Sequence, residues 1–90
     1  MISIIIPTLN EEKYLPKLLD CIRKQSYKDY EIIVADSNSK DKTRQIAKKY
    51  GCRIVKGGMP AKGRNNGAKA AKSEILLFVD GVIHFDNDFL

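Results

Sequence analysis

The chain has 90 residues, 43% of them apolar and 30% charged, and a formal net charge of +5. That length allows one small domain, and that balance of apolar and charged residues excludes wholesale disorder. No apolar run approaches the ~20 residues that span a bilayer. Met1 leads straight into a strand-like segment without the charged region or cleavage site of a secretory signal, so a cytoplasmic location is expected.

Ile2–Pro7 reads as a first strand, apolar on both faces and ended by Pro7. Leu15, Leu18, Leu19 and Ile22 then recur at helical spacing, predicting a helix that starts near Tyr14 or Leu15 and runs to about Gln25. Pro16 fits only in its first turn. Tyr30–Ala35 is a second buried strand. Asp41 can cap a second helix with Ile46, Ala47 and Tyr50 on its core face, and Gly51 is a natural stop. Cys52–Val55 is a short third strand, and Gly57-Gly58-Met59-Pro60 a loop. An alanine-rich helix follows over about Lys62 to Lys72, and Ile75–Val79 forms a fourth strand that ends at Asp80-Gly81.

The predicted order is therefore βαβαβαβ. With right-handed crossovers it builds an α/β, Rossmann-like three-layer half-domain on a mainly parallel sheet. The fourth strand is expected at an exposed edge, where it could pair with a second copy of the chain and make a homodimer.

Charge is distributed unevenly. Residues 1–39 hold 5 basic and 6 acidic side chains, residues 40–72 hold 11 basic and 1 acidic, and residues 73–90 hold 4 acidic and none basic. The basic middle could draw a phosphate-bearing ligand. It lacks the interleaved aromatics of base-stacking modules, so nucleic acid is not the expected partner. Its lysines are read mainly as the solvated faces of two helices. Cys21 and Cys52 lie far apart within apolar patterns and are expected as reduced core thiols. With His84 the single histidine and no CxxC pair, a zinc site is not expected.

Two polar segments follow apolar runs, where strand ends open into a binding crevice, and a third opens the alanine-rich helix. Pro7-Thr8-Leu9-Asn10-Glu11-Glu12 could lay backbone and a carboxylate against a nucleoside, or could simply form a helix N-terminus. In Asp36-Ser37-Asn38-Ser39-Lys40-Asp41-Lys42-Thr43, Asp36 could accept a hydrogen bond from a base N–H, or make an ordinary Asx turn; Asp41 and Thr43 suit capping. Gly63-Arg64-Asn65-Asn66-Gly67 joins helix-terminal amides to an arginine, a combination that suits an anion, but it lacks the Lys–Ser/Thr pair of a Walker loop.

Taken together, PTLNEE, EIIVADSNSKDKT and KGRNNGAKAAKSEILLFVDG resemble, in order and spacing, the N-terminal half of family 2 glycosyltransferases of the GT-A fold. The resemblance implies that residues 1–90 form a single, truncated nucleotide-sugar-binding domain. Its donor would be a nucleoside diphosphate sugar, with a UDP-sugar favoured. It further implies that Pro7, Thr8 and Glu11 line the nucleoside site, that Asp36 contacts the base, and that Arg64 lies near the base or diphosphate. Asp80 would take the first position of the family's D-x-D signature, whose carboxylates hold ribose and a divalent metal, Mn or Mg.

This sequence departs from the pattern at Val82, which stands where the second acid would be and cannot ligate a hard cation. Asp86, Asp88 or His84 could substitute. Ser37 replaces a second Asp found in many members. The family's acceptor-binding half and general base follow D-x-D and are not expected within these residues, so the chain alone would bind a donor and transfer little. On this reading Asp36→Ala removes nucleoside binding without unfolding the chain. The alternative is a non-catalytic α/β scaffold or self-associating module.

Overall fold

A computed structural model describes residues 1–58, 66–73 and 76–78. Strand β1 (Ile2–Thr8) is followed by helix α1 (Leu15–Arg23), strand β2 (Tyr30–Asp36), helix α2 (Thr43–Lys49), strand β3 (Arg53–Lys56) and strand β4 (Leu76–Phe78). Residues 66–70 are also helical. The four strands make one parallel sheet in the order β3-β2-β1-β4. This is the α/β, Rossmann-like arrangement expected, with β1 and β2 at its centre and β3 and β4 outermost among the described strands.

The pleat of β1 divides its side chains between two layers. Ile4 and Ile6 join Val34, Ala47 and the buried face of α1 (Leu15, Leu18, Leu19, Ile22) in one apolar cluster. Ser3 and Ile5 are also buried, on the opposite face. There Gly67 packs so closely that a Cβ on it would stand 2.4 Å from Ile5 Cγ2. Helices therefore cover both faces, as a parallel sheet requires.

Element ends differ from expectation by one or two residues, each for a local reason. Pro7 lies inside β1, opposite Ala35, and does not end it. The Ile2 amide donates to Asp29 O and the Ser37 amide to Thr8 O, so even-numbered residues of β1 bond towards β2. The N–H that Pro7 lacks would point the other way, past the last described β1–β4 pair, Ile5 with Phe78. Strand β3 starts at Arg53 because the Cys52 amide is already engaged. It donates to Ala47 O, and the Gly51 amide to Lys48 O, the paired bonds that close a helix on a left-handed residue. Gly51 has φ +79°, which supplies the predicted stop.

Both cysteines are free and half-buried. Burial pushes the Cys52 thiol up to about 11, against the opposing charge of Arg23. At neutral pH it is protonated and unreactive. Among the described residues no helix is long and apolar enough to cross a membrane.

Candidate functional site

The parallel register sets Thr8 beside Asp36, so the carboxyl ends of β1 and β2 finish together and their loops start side by side. The Asp36 carboxylate sits beneath that junction, 4% exposed. Its Oδ1 accepts from Thr8 Oγ1 (2.7 Å) and Ser39 Oγ (2.6 Å), and its Oδ2 accepts from the Ser39 amide (2.9 Å). Arg44 Nε lies 3.6 Å from Oδ2, bringing α2 to the same carboxylate. A buried carboxylate needs such partners to remain there. These ties join β1, the loop after β2, and α2.

The two loops are also bonded to each other in both directions. The amides of Asn10, Glu11 and Glu12 donate to Ser39 Oγ (2.9 Å), Thr43 Oγ1 (2.8 Å) and Asp41 Oδ2 (3.2 Å). In return the Lys40 amide donates to Asn10 Oδ1 (2.9 Å) and the Lys42 amide to Glu12 Oε2 (3.3 Å). Asp41 Oδ1 accepts from the Thr43 amide at 2.9 Å, so Asp41 caps the start of α2 from the residue before its N-cap, Lys42. Burial raises the Asp41 carboxyl, and the hydrogen bonds from Thr43 and Glu12 outweigh that and hold it below its ordinary value.

Glu11 differs from its neighbours. Its amide is held by Thr43, and its carbonyl accepts from the Tyr14 and Leu15 amides, but its half-buried carboxylate has no partner among the described residues. Leu9, beside it, is 55% exposed. The other wall is set by Ser37 and the loop after β3. Ser37 Oγ donates to Gly58 O (3.0 Å) and accepts from the Gly58 amide (2.9 Å). The Gly57 amide donates to Asp36 O, and a Cβ on Gly57 would lie 2.8 Å from Asp36 C and 2.7 Å from Ser37 Oγ. Only glycine fits against that strand end.

The site residues expected from sequence are thus partly assembled. Thr8 and Asp36 meet at the carboxyl ends of β1 and β2, with half-buried Pro7 one residue back along β1 and Glu11 in the loop that follows it. The bonds made by Asp36 are those of the local-turn alternative, extended to Thr8 across the sheet. Arg64, Asp80, Val82, His84, Asp86 and Asp88 lie outside the described residues. No group of three or more His, Cys, Asp or Glu side chains that could hold a metal occurs among the described residues, so they provide no complete metal site. Ser39 and Arg44 were not singled out from sequence. Their tie to Asp36 has a weak local signal, a serine three residues after a strand-ending aspartate. A groove of about 730 Å³ adjoins this junction along the loop after β2 and α2, with Ser39, Lys40, Arg44 and Lys48 in its lining.

Residues 3–81 match the model of the family described as Glycosyl transferase family 2. The chain belongs to that family. It is 36% identical to the poly(ribitol-phosphate) beta-N-acetylglucosaminyltransferase TarS of Staphylococcus aureus over 98% of its own length and 17% of that protein's. The crystal structure of S. aureus TarS 1–349 in complex with UDP-GlcNAc shares 38% identity and a TM-score of 0.81, covering 89% of this chain and 26% of that one. Glucosyl-3-phosphoglycerate synthase from Mycobacterium tuberculosis, in complex with Mn2+, UDP and glucosyl-3-phosphoglycerate, shares 28% identity and a TM-score of 0.72. That match covers 90% of this chain and 33% of the synthase. The fold is accordingly that of GT-A glycosyltransferases, and the chain spans a third or less of the length of each relative named here.

Proposed function

We propose that this chain forms the donor side of a family 2 glycosyltransferase, a single domain over residues 1–90 that holds a nucleoside diphosphate sugar. The sugar would pass to an acceptor hydroxyl in the full catalytic unit. A UDP-sugar is the favoured donor, because the structures similar to this chain include complexes with UDP-GlcNAc and UDP. The observation that carries the reading is the Glu11 carboxylate, without a partner among the described residues, in a loop whose Asn10, Glu11 and Glu12 amides are all engaged. Pro7, Thr8 and Glu11 would line the nucleoside site, with Arg64 towards the diphosphate.

Asp36 belongs to this site as a positioning residue. One lone pair of Oδ2 remains outside its hydrogen bonds, facing Arg44, and at 4% exposure the carboxylate supports the floor of the crevice. Asp80 would contribute to holding a divalent ion, Mg2+ or Mn2+, which when bound would offset charge on the departing nucleoside diphosphate. Val82 supplies no second acid beside it.

Backbone amide NMR during titration with UDP, with and without Mg2+, tests this. Shifts confined to Thr8–Glu12, Ser37–Ser39 and Arg64–Gly67 are expected. Silence at millimolar UDP would reject the donor reading.

A further inference from the structure

Asn10 has φ +53°, in the left-handed region that few side chains other than asparagine tolerate. It is held there from two sides, through its amide to Ser39 Oγ and through its Oδ1 from the Lys40 amide. Ser39 in turn donates its own hydroxyl proton to Asp36 Oδ1, which also takes the Thr8 hydroxyl. One continuous chain of hydrogen bonds therefore runs from Asn10 through Ser39 and Asp36 to Thr8 at the end of β1.

Two residues on, Glu12 makes the same kind of two-way exchange with Asp41 and Lys42. Glu11 lies between these clasps, its amide fixed on Thr43 and its carboxylate without a partner among the described residues. We infer that Asn10 is a positioning residue for donor binding. It latches the loop after β1 to the loop after β2 before any ligand arrives, so that Glu11 is presented from a fixed backbone. This inference rests on the donor reading above.

The physical basis is preorganisation. A loop already ordered in the free chain does not have to be ordered by the ligand, and binding is tighter by that saving. The latch also explains the choice of side chain. Alanine at position 10 would lose the Oδ1 acceptor and strain the backbone. Glycine would relieve the backbone but lose the acceptor. Aspartate would keep both the acceptor and a tolerable left-handed conformation.

UDP titration by amide NMR on the whole 90-residue chain and on Asn10→Ala, Asn10→Gly and Asn10→Asp separates these contributions. Amide hydrogen exchange without nucleotide, read at Glu11, Glu12 and Lys40, runs beside it. Both Asn10→Ala and Asn10→Gly should weaken UDP by about tenfold or more and speed exchange at Lys40. Protection of Ile4–Ile6 and Ile33–Ala35 should persist in both, and Asn10→Asp should restore both readouts.

Asn10→Gly binding UDP as tightly as the unaltered chain would overturn the latch, since only backbone conformation would then matter. Equal UDP affinity in Asn10→Ala would overturn it too. An unaltered chain silent to UDP would reject the donor reading instead, and the exchange rates would then decide the latch alone. Unchanged Lys40 exchange in Asn10→Ala overturns it; accelerated exchange confined to the two loops sustains it.

Discussion

Removing the Asp36 carboxylate would strand the hydroxyls of Thr8 and Ser39, which belong to residues only 3% and 2% exposed. Buried donors left without acceptors are costly, and bonds to a charged acceptor are stronger than neutral ones. Asp36→Ala should therefore destabilise the chain by about 3 kcal/mol, read as a lowered urea midpoint. Thr8→Val removes one donor at nearly constant volume and leaves Asp36 with both Ser39 bonds, so about 1 kcal/mol is expected. The sequence alone suggested that Asp36→Ala would spare the fold and cost only nucleoside binding. Burial gives the reason to expect otherwise. An unchanged urea midpoint in Asp36→Ala would show that the carboxylate does not hold the two loops together.

At the scale of elements, the helix that covers the second face of the sheet makes its closest approach at one glycine. Gly67 is buried against Ile5 in the centre of β1, and a methyl group there would overlap the Ile5 side chain. Gly67→Ala should destabilise by about 1–3 kcal/mol through overpacking, although alanine is the better helix former. A double-mutant cycle with Ile5→Ala, which removes the Cγ2 that the new methyl group would meet, distinguishes space from backbone freedom. If space is the cause, the Gly67→Ala penalty should shrink when residue 5 loses its γ carbons; a penalty independent of residue 5 would point to the backbone. The contrast is Gly51, where a Cβ would meet nothing within 4 Å but φ is +79°. These two glycines look alike in sequence and serve different ends. The stop at Gly51 was legible, because it follows a helical period. The close approach at Gly67 was not, because its partner lies far away in the chain.

The same distinction holds for the whole molecule. Elements built on local period (Ile4 and Ile6 in β1, Leu15 to Ile22 in α1, Ala47 in α2) could be read from sequence to within a residue or two. The motif around Asp36 located the candidate site, but a string of residues does not record whether a carboxylate turns inward to Thr8 or outward to a ligand. Still less legible is the tie at the opposite, amino end of the sheet. There Glu31 Oε2 accepts from Ser3 Oγ (2.6 Å) and from the Lys72 amide (2.6 Å), 41 residues further along, while Arg53 Nη1 lies 3.5 Å from Oε1. Arg53 also donates to Ala70 O (2.7 Å), so the clamp fastens the end of the 66–70 helix to β1, β2 and β3. Burial raises the Glu31 carboxyl, but the bonds from Ser3, Lys72 and Arg53 prevail and hold it below its ordinary 4.5. A carboxyl depressed on folding adds stability above its unfolded value, and that stability is lost as pH falls through the lower folded value. Glu31→Gln should therefore be less stable than the unaltered chain at pH 7. The gap should narrow on acidification below pH 4.5, as Glu31 itself takes up a proton. Urea midpoints of both proteins from neutral pH down to about pH 3 measure this directly. A gap that stayed constant across that range would mean that the clamp depends on shape and neutral hydrogen bonds, with the charge on Glu31 contributing nothing.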